Sequence, residues 1–455
     1  MKINTKKTVS ISSLRIVAIK IANFILLIAT LFFAFIGILA IFKTFQPFSI
    51  FNYLTISFVS FSAAFLLFLG FFLKDSLKIN ISLFLLSIFF SVYLFELFLG
   101  IFSAQSTEKE LSVKKYLNDY DNRKIMDVVA DFSKNKEESF PYIGPLLFIN
   151  SNGLENENRK IYPLGGIPNA TTVFCNESGS WTVFKSDEHG FNNPQGLYKK
   201  KEIDILLIGD SMADGACVKS GEGISDEIRS YGFNLLNISR GGNGPLLELA
   251  TLKEYGQPFN PKIVLWQFYQ NDFRELEREV TSSILRRYLN DKDFSQNLIF
   301  RTNEVEEALR SFFLKSLNKK NEGDIKKVKI TQNKIFSFIK LQNLRTRIGL
   351  TPKAKPLIFK KILKDVDEMV SSWGGKLYFI YIPSGFEISN KSSSYAKTAI
   401  SIAKELQIPV INIKNEVTDS HPDPLSLFPF RQSKNHYNSH GYELIAKAII
   451  KKINF

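Results

Sequence analysis

One serine in this sequence has neighbours of the kind that acyl-transfer chemistry requires. Ser211 ends a Gly-Asp-Ser tripeptide that directly follows the apolar run 203–208, and the stretch 212–218 after it is predicted to be helical. Free backbone amides and the helix dipole would then favour a negative charge beside the serine. A serine hydroxyl is a weak nucleophile until a neighbouring base takes its proton. The four histidines that could act as this base are His189, His421, His436 and His440.

The elements that position these residues are predicted from five short apolar runs separated by helical stretches. The runs cover residues 202–208, 233–238, 262–268, 376–382 and 408–413. Such alternation predicts a doubly wound parallel α/β sheet, in which ligands bind at the carboxyl ends of the strands. Ser211, Gly242 and Asn271 each come just after such an end, and His436 precedes the last predicted helix, 442–453.

These four positions together resemble the SGNH or GDSL hydrolase family over about residues 204–455. The family pattern is Gly-Asp-Ser, a glycine after the second strand, Asn-Asp after the third and a histidine before the last helix. The resemblance implies a flavodoxin-like fold with Ser211 as nucleophile and His436 as base. It also implies an oxyanion hole made of the Ser211 amide, the Gly242 amide and the Asn271 side chain. Preorganised donors of this kind stabilise the tetrahedral intermediate.

The third member of a catalytic triad is not evident from the sequence. Many family members carry an aspartate two or three residues before the histidine, but Lys434 and Ser433 occupy those positions here. Either the site works as a Ser-His dyad or another acid serves, and Asp423 is the nearest candidate in sequence. Asp423 lies between two prolines and is equally suited to cap its own turn. His440 competes with His436 as the base, but the residues around His436 fit the family pattern better.

Three apolar stretches at the N-terminal end, residues 21–42, 51–73 and 81–102, are each near the roughly 20 residues that a helix needs to cross a bilayer. Basic residues precede the first stretch and lie in the loop after the second. The positive-inside rule therefore places the N-terminus in the cytoplasm and everything after the third stretch outside it. We expect a multi-pass anchor in a bacterial inner membrane, with the remainder periplasmic or extracellular. The segment 162–194 also resembles a membrane-attached bacterial subgroup of the family.

The formal net charge of +14 does not by itself indicate nucleic-acid binding. No zinc-finger spacing, RNA-binding motif or basic helix on a dimerising scaffold accompanies it. Scattered lysines account for much of the excess, which favours a solvated or membrane-facing surface. We therefore expect the lipid bilayer, and not nucleic acid, as a partner.

Two cysteines, Cys175 and Cys217, are too far apart in sequence for a CxxC metal or redox site. The predicted topology places both outside the cytoplasm, where a disulfide persists. We therefore predict a disulfide between them, which would tie the segment leading into the sheet against the turn that carries Ser211. Two separately buried thiols are the alternative, since a free cysteine packs well as a small apolar residue. We expect no metal and no cofactor.

The chain is expected to have three parts. Residues 1–104 form the membrane anchor, residues 105–200 a stalk and lead-in segment with a helix suggested at 114–120, and residues 201–455 the hydrolase-like domain. This domain contains an insertion at about residues 273–356. The insertion is too long for an ordinary loop, and its helical patches suggest a cap over the site.

The sequence predicts a membrane-anchored serine ester hydrolase that acts on acyl groups of envelope glycans or lipids through an acyl-enzyme. An O-acyltransferase is an alternative, because transfer and hydrolysis differ only in whether a sugar hydroxyl or water attacks the acyl-enzyme. A catalytically silent glycan-binding or scaffold subunit of an envelope polysaccharide machine is a third interpretation. The missing aspartate before the histidine supports it, whereas the presence of Ser211, Asn271 and His436 argues against it.

Overall fold

The structure is a computed structural model that describes residues 11–44, 53–103, 120–134, 137–156, 159–320, 338–339, 341, 344, 356–389, 393–432 and 434–453. The chain divides into two compact units. The first consists of residues 1–105 and 324–353, and the second of residues 106–323 and 354–455. The suggested helix at 114–120 lies outside the described residues, apart from Tyr120 at its end.

The first unit is built on three apolar helices, which confirms the prediction. They are α1 (Ile11–Thr44), α2 (Tyr53–Leu69) and α3 (Asp75–Ser103). Each overlaps with a stretch long and apolar enough to cross a membrane. These stretches are Ser13–Phe42, Tyr53–Phe72 and Asp75–Leu99. The second continues three residues beyond the end of α2. Most of their large apolar side chains face outwards and are exposed in the isolated protein. A bilayer would cover this surface, since water does not favour it.

Part of the long insertion belongs to this first unit. Glu96 of α3 is fully buried, and its carboxylate accepts the Leu344 N–H at 2.7 Å. The Tyr93 hydroxyl donates to the Ile339 carbonyl at 3.1 Å. Within the insertion predicted at 273–356, the described residues Ile339 and Leu344 therefore hydrogen-bond to α3. That the remainder caps the site stays a prediction.

The second unit begins with a helix and two small sheets. Helix α4 (Ile125–Lys134) packs on a three-stranded sheet of β1 (Ser139–Pro141), β4 (Thr171–Val173) and β5 (Val183–Lys185). Strand β1 pairs with β4 in parallel, and β4 pairs with β5 antiparallel. Strands β2 (Leu154–Asn156) and β3 (Arg159–Ile161) form a separate antiparallel pair. The loop between β4 and β5 carries Cys175.

The main sheet of this unit consists of β6 (Ile205–Ile208), β7 (Leu235–Asn237), β8 (Ile263–Phe268), β9 (Lys376–Tyr381) and β10 (Val410–Asn412). Its strand order is β10-β9-β8-β6-β7, and every pairing is parallel. Strands β6 and β8 are buried along their whole length, as expected for central strands covered on both faces. This is the flavodoxin-like order, so the predicted fold class is confirmed. The strand order reverses at β6, which places the crevice for ligands at the ends of β6 and β8.

Helices cover both faces of the main sheet. The remaining helices of the unit are α5 (Ile224–Ser230), α6 (Pro245–Thr251), α7 (Asp272–Glu279), α8 (Ser283–Asn290), α9 (Thr302–Lys320), α10 (Pro356–Ser372), α11 (Gly385–Ser389), α12 (Ser394–Glu405) and α13 (Ser439–Lys452). Helices α5 and α13 pack together on one face, and α10 packs against α6, α12 and β9 on the other. The core under α13 includes Ile445 and Ile449, both fully buried against Ile205 and its neighbours.

Candidate active site

Ser211 lies directly beyond the carboxyl end of β6, in a succession of turns. The Asp214 N–H donates to the Asp210 carbonyl and the Ala216 N–H to the Ser211 carbonyl, both at 3.0 Å. The regular helix predicted for 212–218 is absent from this described segment, so that prediction is wrong. Cys217 has a φ of 67°, which interrupts a right-handed helix. The serine therefore has turn amides beside it and no helix dipole.

This turn is held tightly against the neighbouring strand β8. The Asp210 N–H donates to Gln267 Oε1 at 3.1 Å. A Cβ atom added at Gly209 would lie 2.3 Å from the same oxygen. Only glycine permits so close an approach of backbone and side chain. The Gly-Asp-Ser tripeptide therefore needs its glycine for packing and its serine for chemistry.

A hydrogen-bonded chain links the serine to a histidine and a carboxylate. His436 Nε2 lies 2.8 Å from Ser211 Oγ, and His436 Nδ1 lies 3.0 Å from Glu177 Oε2. The backbone N–H of His436 donates to the same Glu177 oxygen at 2.7 Å. Because a carboxylate only accepts hydrogen bonds, Nδ1 carries the proton and Nε2 faces the hydroxyl as an acceptor. The arrangement is the one that a nucleophile, a base and an orienting acid adopt in a serine hydrolase triad.

The surroundings of His436 change its basicity in opposite directions. Burial of the ring lowers the pKa of His436. The hydrogen bond and charge of Glu177 raise it, and the charges of Asp210 and Asp214 add to this effect. The net pKa lies above the ordinary value for histidine. Glu177 therefore strengthens the base as well as orienting it.

The acid at the histidine is not Asp423, the candidate nearest in sequence. The carboxylate of Asp423 is exposed and pairs with the Arg431 guanidinium, with one oxygen 2.7 Å from Arg431 Nη2. This hydrogen bond lowers the pKa of Asp423. Glu177 stands at His436 instead, although the two are 259 positions apart in sequence. The available signal was the predicted disulfide, because Glu177 is two residues beyond Cys175.

The other histidines have different surroundings. His440 lies on the exposed first turn of α13, with Nδ1 3.1 Å from Glu443 Oε2. His189 packs against the rings of Tyr198 and Tyr255, and burial lowers its pKa to about 4. His421 Nδ1 accepts the backbone N–H of the residue two positions on, at 3.1 Å. Of the four histidines, His436 is the one hydrogen-bonded to Ser211.

Gly242 lies in the loop after β7, beside the serine turn. The preceding residue, Gly241, donates its N–H to Asp214 Oδ2 at 3.0 Å, and the Tyr142 hydroxyl donates to the same oxygen at 2.6 Å. Asp214 belongs to the turn of Ser211, so these bonds tie the two loops together. Gly242 itself has a φ of 84°, a conformation that favours glycine.

Asn271 begins the first turn after β8 and reaches the same edge of the sheet. Its side chain lies near the carboxylate of Asp210, the residue before Ser211, and partly offsets the rise in the pKa of Asp210 that burial causes. Within the described part of the chain, the N–H groups of Ser211 and Gly242 donate to no protein acceptor. The structure thus brings together the Ser211 turn, the Gly242 loop and Asn271, the three predicted sources of oxyanion donors.

Helix α7 fixes the Gly242 loop from the other side. Glu279 is fully buried, and its carboxyl group accepts the Gly244 N–H at 2.6 Å and the Leu246 N–H at 2.9 Å. Asn271 directly precedes the first residue of the same helix. One short helix therefore holds the loop and Asn271 in a fixed relation to each other.

The two cysteines, Cys175 and Cys217, are joined in a disulfide, with their Cα atoms 5.4 Å apart. Cys217 Sγ lies 3.5 Å from His436 Nδ1, so the bond runs beside the triad. Glu177, Cys217 and His436 are thus grouped as metal ligands often are. The sulfur is already bonded to Cys175, and Glu177 is hydrogen-bonded to His436. This donor set does not fit a resident metal.

A groove of about 450 Å³ borders Glu177 on its outer side. Its lining includes the aromatic side chains of Tyr120, Phe174 and Trp181 together with Arg123. Trp181 Nε1 donates to the Arg123 carbonyl at 3.1 Å, which holds the indole at the edge of the groove. Aromatic faces beside polar groups suit ligands that have both apolar and hydrogen-bonding surfaces.

Comparison with known proteins gives likeness at the level of solved structures. No family model and no curated protein matches the chain. A lipase/acylhydrolase from Enterococcus faecalis is 14% identical, with 55% of this chain and 95% of that chain covered and a TM-score of 0.32. An acetyl xylan esterase is 11% identical, with 55% and 100% covered and a TM-score of 0.33. A two-domain esterase active on acetylated mannans is 10% identical, with 55% and 48% covered and a TM-score of 0.30. The fold assignment rests on this chain's own strand order.

Proposed function

We propose that the second unit is a serine ester hydrolase that works through an acyl-enzyme. The observation that carries the proposal is the hydrogen-bonded chain from Ser211 Oγ through the His436 ring to Glu177, with distances of 2.8 and 3.0 Å. A binding protein has no need of a base on a serine hydroxyl. The position of these part-buried residues at the carboxyl ends of the central strands agrees with the usual place of ligands in this fold.

In the proposed reaction His436 Nε2 takes the Ser211 proton as Oγ attacks the ester carbonyl carbon. The tetrahedral oxyanion accepts hydrogen bonds from the Ser211 and Gly242 amides and from the Asn271 side chain, each contributing about 3 kcal/mol. His436 then gives the proton to the leaving alcohol, and the acyl group stays on Ser211. Water attacks this acyl-enzyme with His436 again as base, which releases the carboxylic acid. Glu177 stabilises the imidazolium in both steps.

The proposed substrates are acyl esters on glycans or lipids of the cell envelope. The three apolar helices support a place at the membrane, where such esters occur. The groove beside Glu177 supports a glycan in particular, because Tyr120 and Trp181 offer aromatic faces next to polar groups.

The proposed location is a bacterial inner membrane, with the hydrolase unit on the outer side. The excess of basic residues before the first apolar helix supports this orientation. The disulfide supports it as well, because such bonds persist outside the cytoplasm.

The test is labelling of the purified full-length protein in detergent with a fluorophosphonate probe. The native protein should be labelled on the peptide that contains Ser211, and the Ser211→Ala variant should not. A folded native protein that takes up no label would contradict the proposal and favour a silent binding subunit. Hydrolysis of p-nitrophenyl acetate gives the rate, and addition of a sugar acceptor shows whether the acyl group passes to water or to a hydroxyl.

A further inference from the structure

The disulfide joins two segments that each carry a member of the triad. Cys175 is two residues before Glu177, and Cys217 is six residues after Ser211. Two residues span at most about 7 Å of extended chain. The covalent bond therefore keeps the backbone of Glu177 close to the turn that carries the nucleophile.

The bond also lies against the hydrogen bond that Glu177 makes. Cys217 Sγ is 3.5 Å from His436 Nδ1, the same nitrogen that contacts Glu177 Oε2 at 3.0 Å. Cys217 has a φ of 67°, a conformation that costs free energy for any residue with a Cβ. Such conformations persist where the surroundings require them. Here this conformation places the sulfur beside the ring.

The other described contacts of the acid's loop are non-covalent. Two of them lie at the site: Asn435 Nδ2 is 3.5 Å from the Glu177 carbonyl, and Phe174 stacks on Tyr142, whose hydroxyl binds Asp214.

The remaining contacts of this loop run to residues 120–121. The Tyr120 hydroxyl donates to the Asn176 carbonyl at 2.6 Å, and Asn176 Nδ2 donates to the Asp121 carbonyl at 2.6 Å. The Asp121 N–H in turn donates to the Gly179 carbonyl at 2.6 Å. These hydrogen bonds hold the loop to residues 120–121. The disulfide is what joins it covalently to the nucleophile turn.

We propose that the Cys175–Cys217 disulfide is a positioning element of the active site, which holds Glu177 on His436 and makes activity depend on the oxidised state of the two cysteines. The inference rests on the proposed function. Opening the bond leaves Ser211 and His436 in place on the main fold, but the loop of the acid then keeps only hydrogen bonds and packing, and Glu177 is held less firmly on the ring. The imidazole then loses the partner that fixes its tautomer, so kcat falls while KM changes little.

The test compares the native protein with Glu177→Gln, the double variant Cys175→Ser/Cys217→Ser, and the triple variant with all three changes. All are full-length proteins in detergent, assayed by p-nitrophenyl acetate hydrolysis and by the rate of fluorophosphonate labelling. We expect the double variant to lose at least about tenfold in kcat, and the triple variant to match Glu177→Gln within about twofold. The acid limb of the double variant's pH profile should also move to lower pH, as in Glu177→Gln.

Two outcomes would overturn the inference. The double variant could keep the native kcat and pH profile, or the losses from the two changes could multiply in the triple variant. Multiplied losses would mean that the bond acts on something other than Glu177. Circular dichroism and thermal unfolding identify variants that have lost their fold, and these are replaced by the reduction experiment.

Reduction of the folded native protein tests the role of the disulfide independently. Dithiothreitol passes two electrons and two protons to the disulfide and becomes a cyclic disulfide itself. The native protein should lose activity and regain it on reoxidation, whereas the double variant should not respond. Native protein that takes no label on Ser211 would overturn the proposed function. Labelling and activity that withstand full reduction would overturn the disulfide inference alone.

Discussion

The side chains around His436 determine which ring nitrogen carries the proton and how basic the other nitrogen is. The ring has a carboxylate on one nitrogen and a hydroxyl on the other, so each nitrogen has one role. Asp423 is a carboxylate in the same part of the sequence, but its partner is Arg431 at the surface. Mutation of Glu177 can therefore be compared with mutation of Asp423 as the control.

Glu177→Gln should lower kcat by a factor on the order of 10³–10⁴, because the amide no longer stabilises the imidazolium or fixes its tautomer. Asp423→Asn should change kcat less than about twofold, since its carboxylate pairs with Arg431. Exposed ion pairs of this kind contribute at most about 1 kcal/mol to the free energy of unfolding. Steady-state hydrolysis of p-nitrophenyl acetate measures both. The reverse order of effects would return Asp423 to the role of the acid.

The pH dependence follows from the raised pKa of His436. The base is active when neutral, so kcat/KM should rise as the pH increases through that pKa. In Glu177→Gln the carboxylate no longer raises the pKa, and the rise should occur at lower pH. A pH profile of both proteins on the same ester measures the difference. An unchanged profile would mean that Glu177 does not set the basicity of the ring.

At the scale of elements, the site depends on how closely the serine turn approaches β8. Gly209→Ala would put a methyl group 2.3 Å from Gln267 Oε1 and 2.9 Å from Gln267 Cβ, and both sites are buried. Overpacking of this kind should lower the free energy of unfolding by about 1–3 kcal/mol and reduce labelling of Ser211. Gly223→Ala gives the milder comparison, because its Cβ would lie 3.3 Å from the Gly215 Cα, a tight contact but a longer one. Chemical denaturation of both variants measures the difference, and equal losses would contradict the argument.

At the scale of the whole molecule, the division into an apolar unit and a second unit with the α/β sheet makes the membrane topology testable. A phosphatase reporter fused after Phe455 should be active only outside the cytoplasm, because three crossings from a cytoplasmic N-terminus end there. A cytoplasmic reporter at the same position, such as a fluorescent protein that matures only in the cytosol, should be dark. The opposite pair of results would mean that the number of crossings or the orientation is wrong.

Local pattern in the sequence determined the architecture and part of the site. Apolar runs of about 20 residues predict membrane helices, and short apolar runs alternating with helices predict a parallel sheet, because burial sets both patterns. The structure has three such helices and the predicted sheet order. Ser211 and His436 were also named from local motifs, and the structure places them in hydrogen-bonding contact.

Tertiary structure alone decided the rest, because contacts between distant segments leave no local pattern. Glu177 meets His436 across 259 positions, by way of a loop that the disulfide brings to the serine turn. Asp423 was nearer in sequence, but its neighbour Arg431 takes its carboxylate. The turn after Ser211 is no helix, because Gly215 and Cys217 both take a positive φ there. The contacts of Ile339 and Leu344 with α3 follow from three-dimensional packing, which chain order does not reveal.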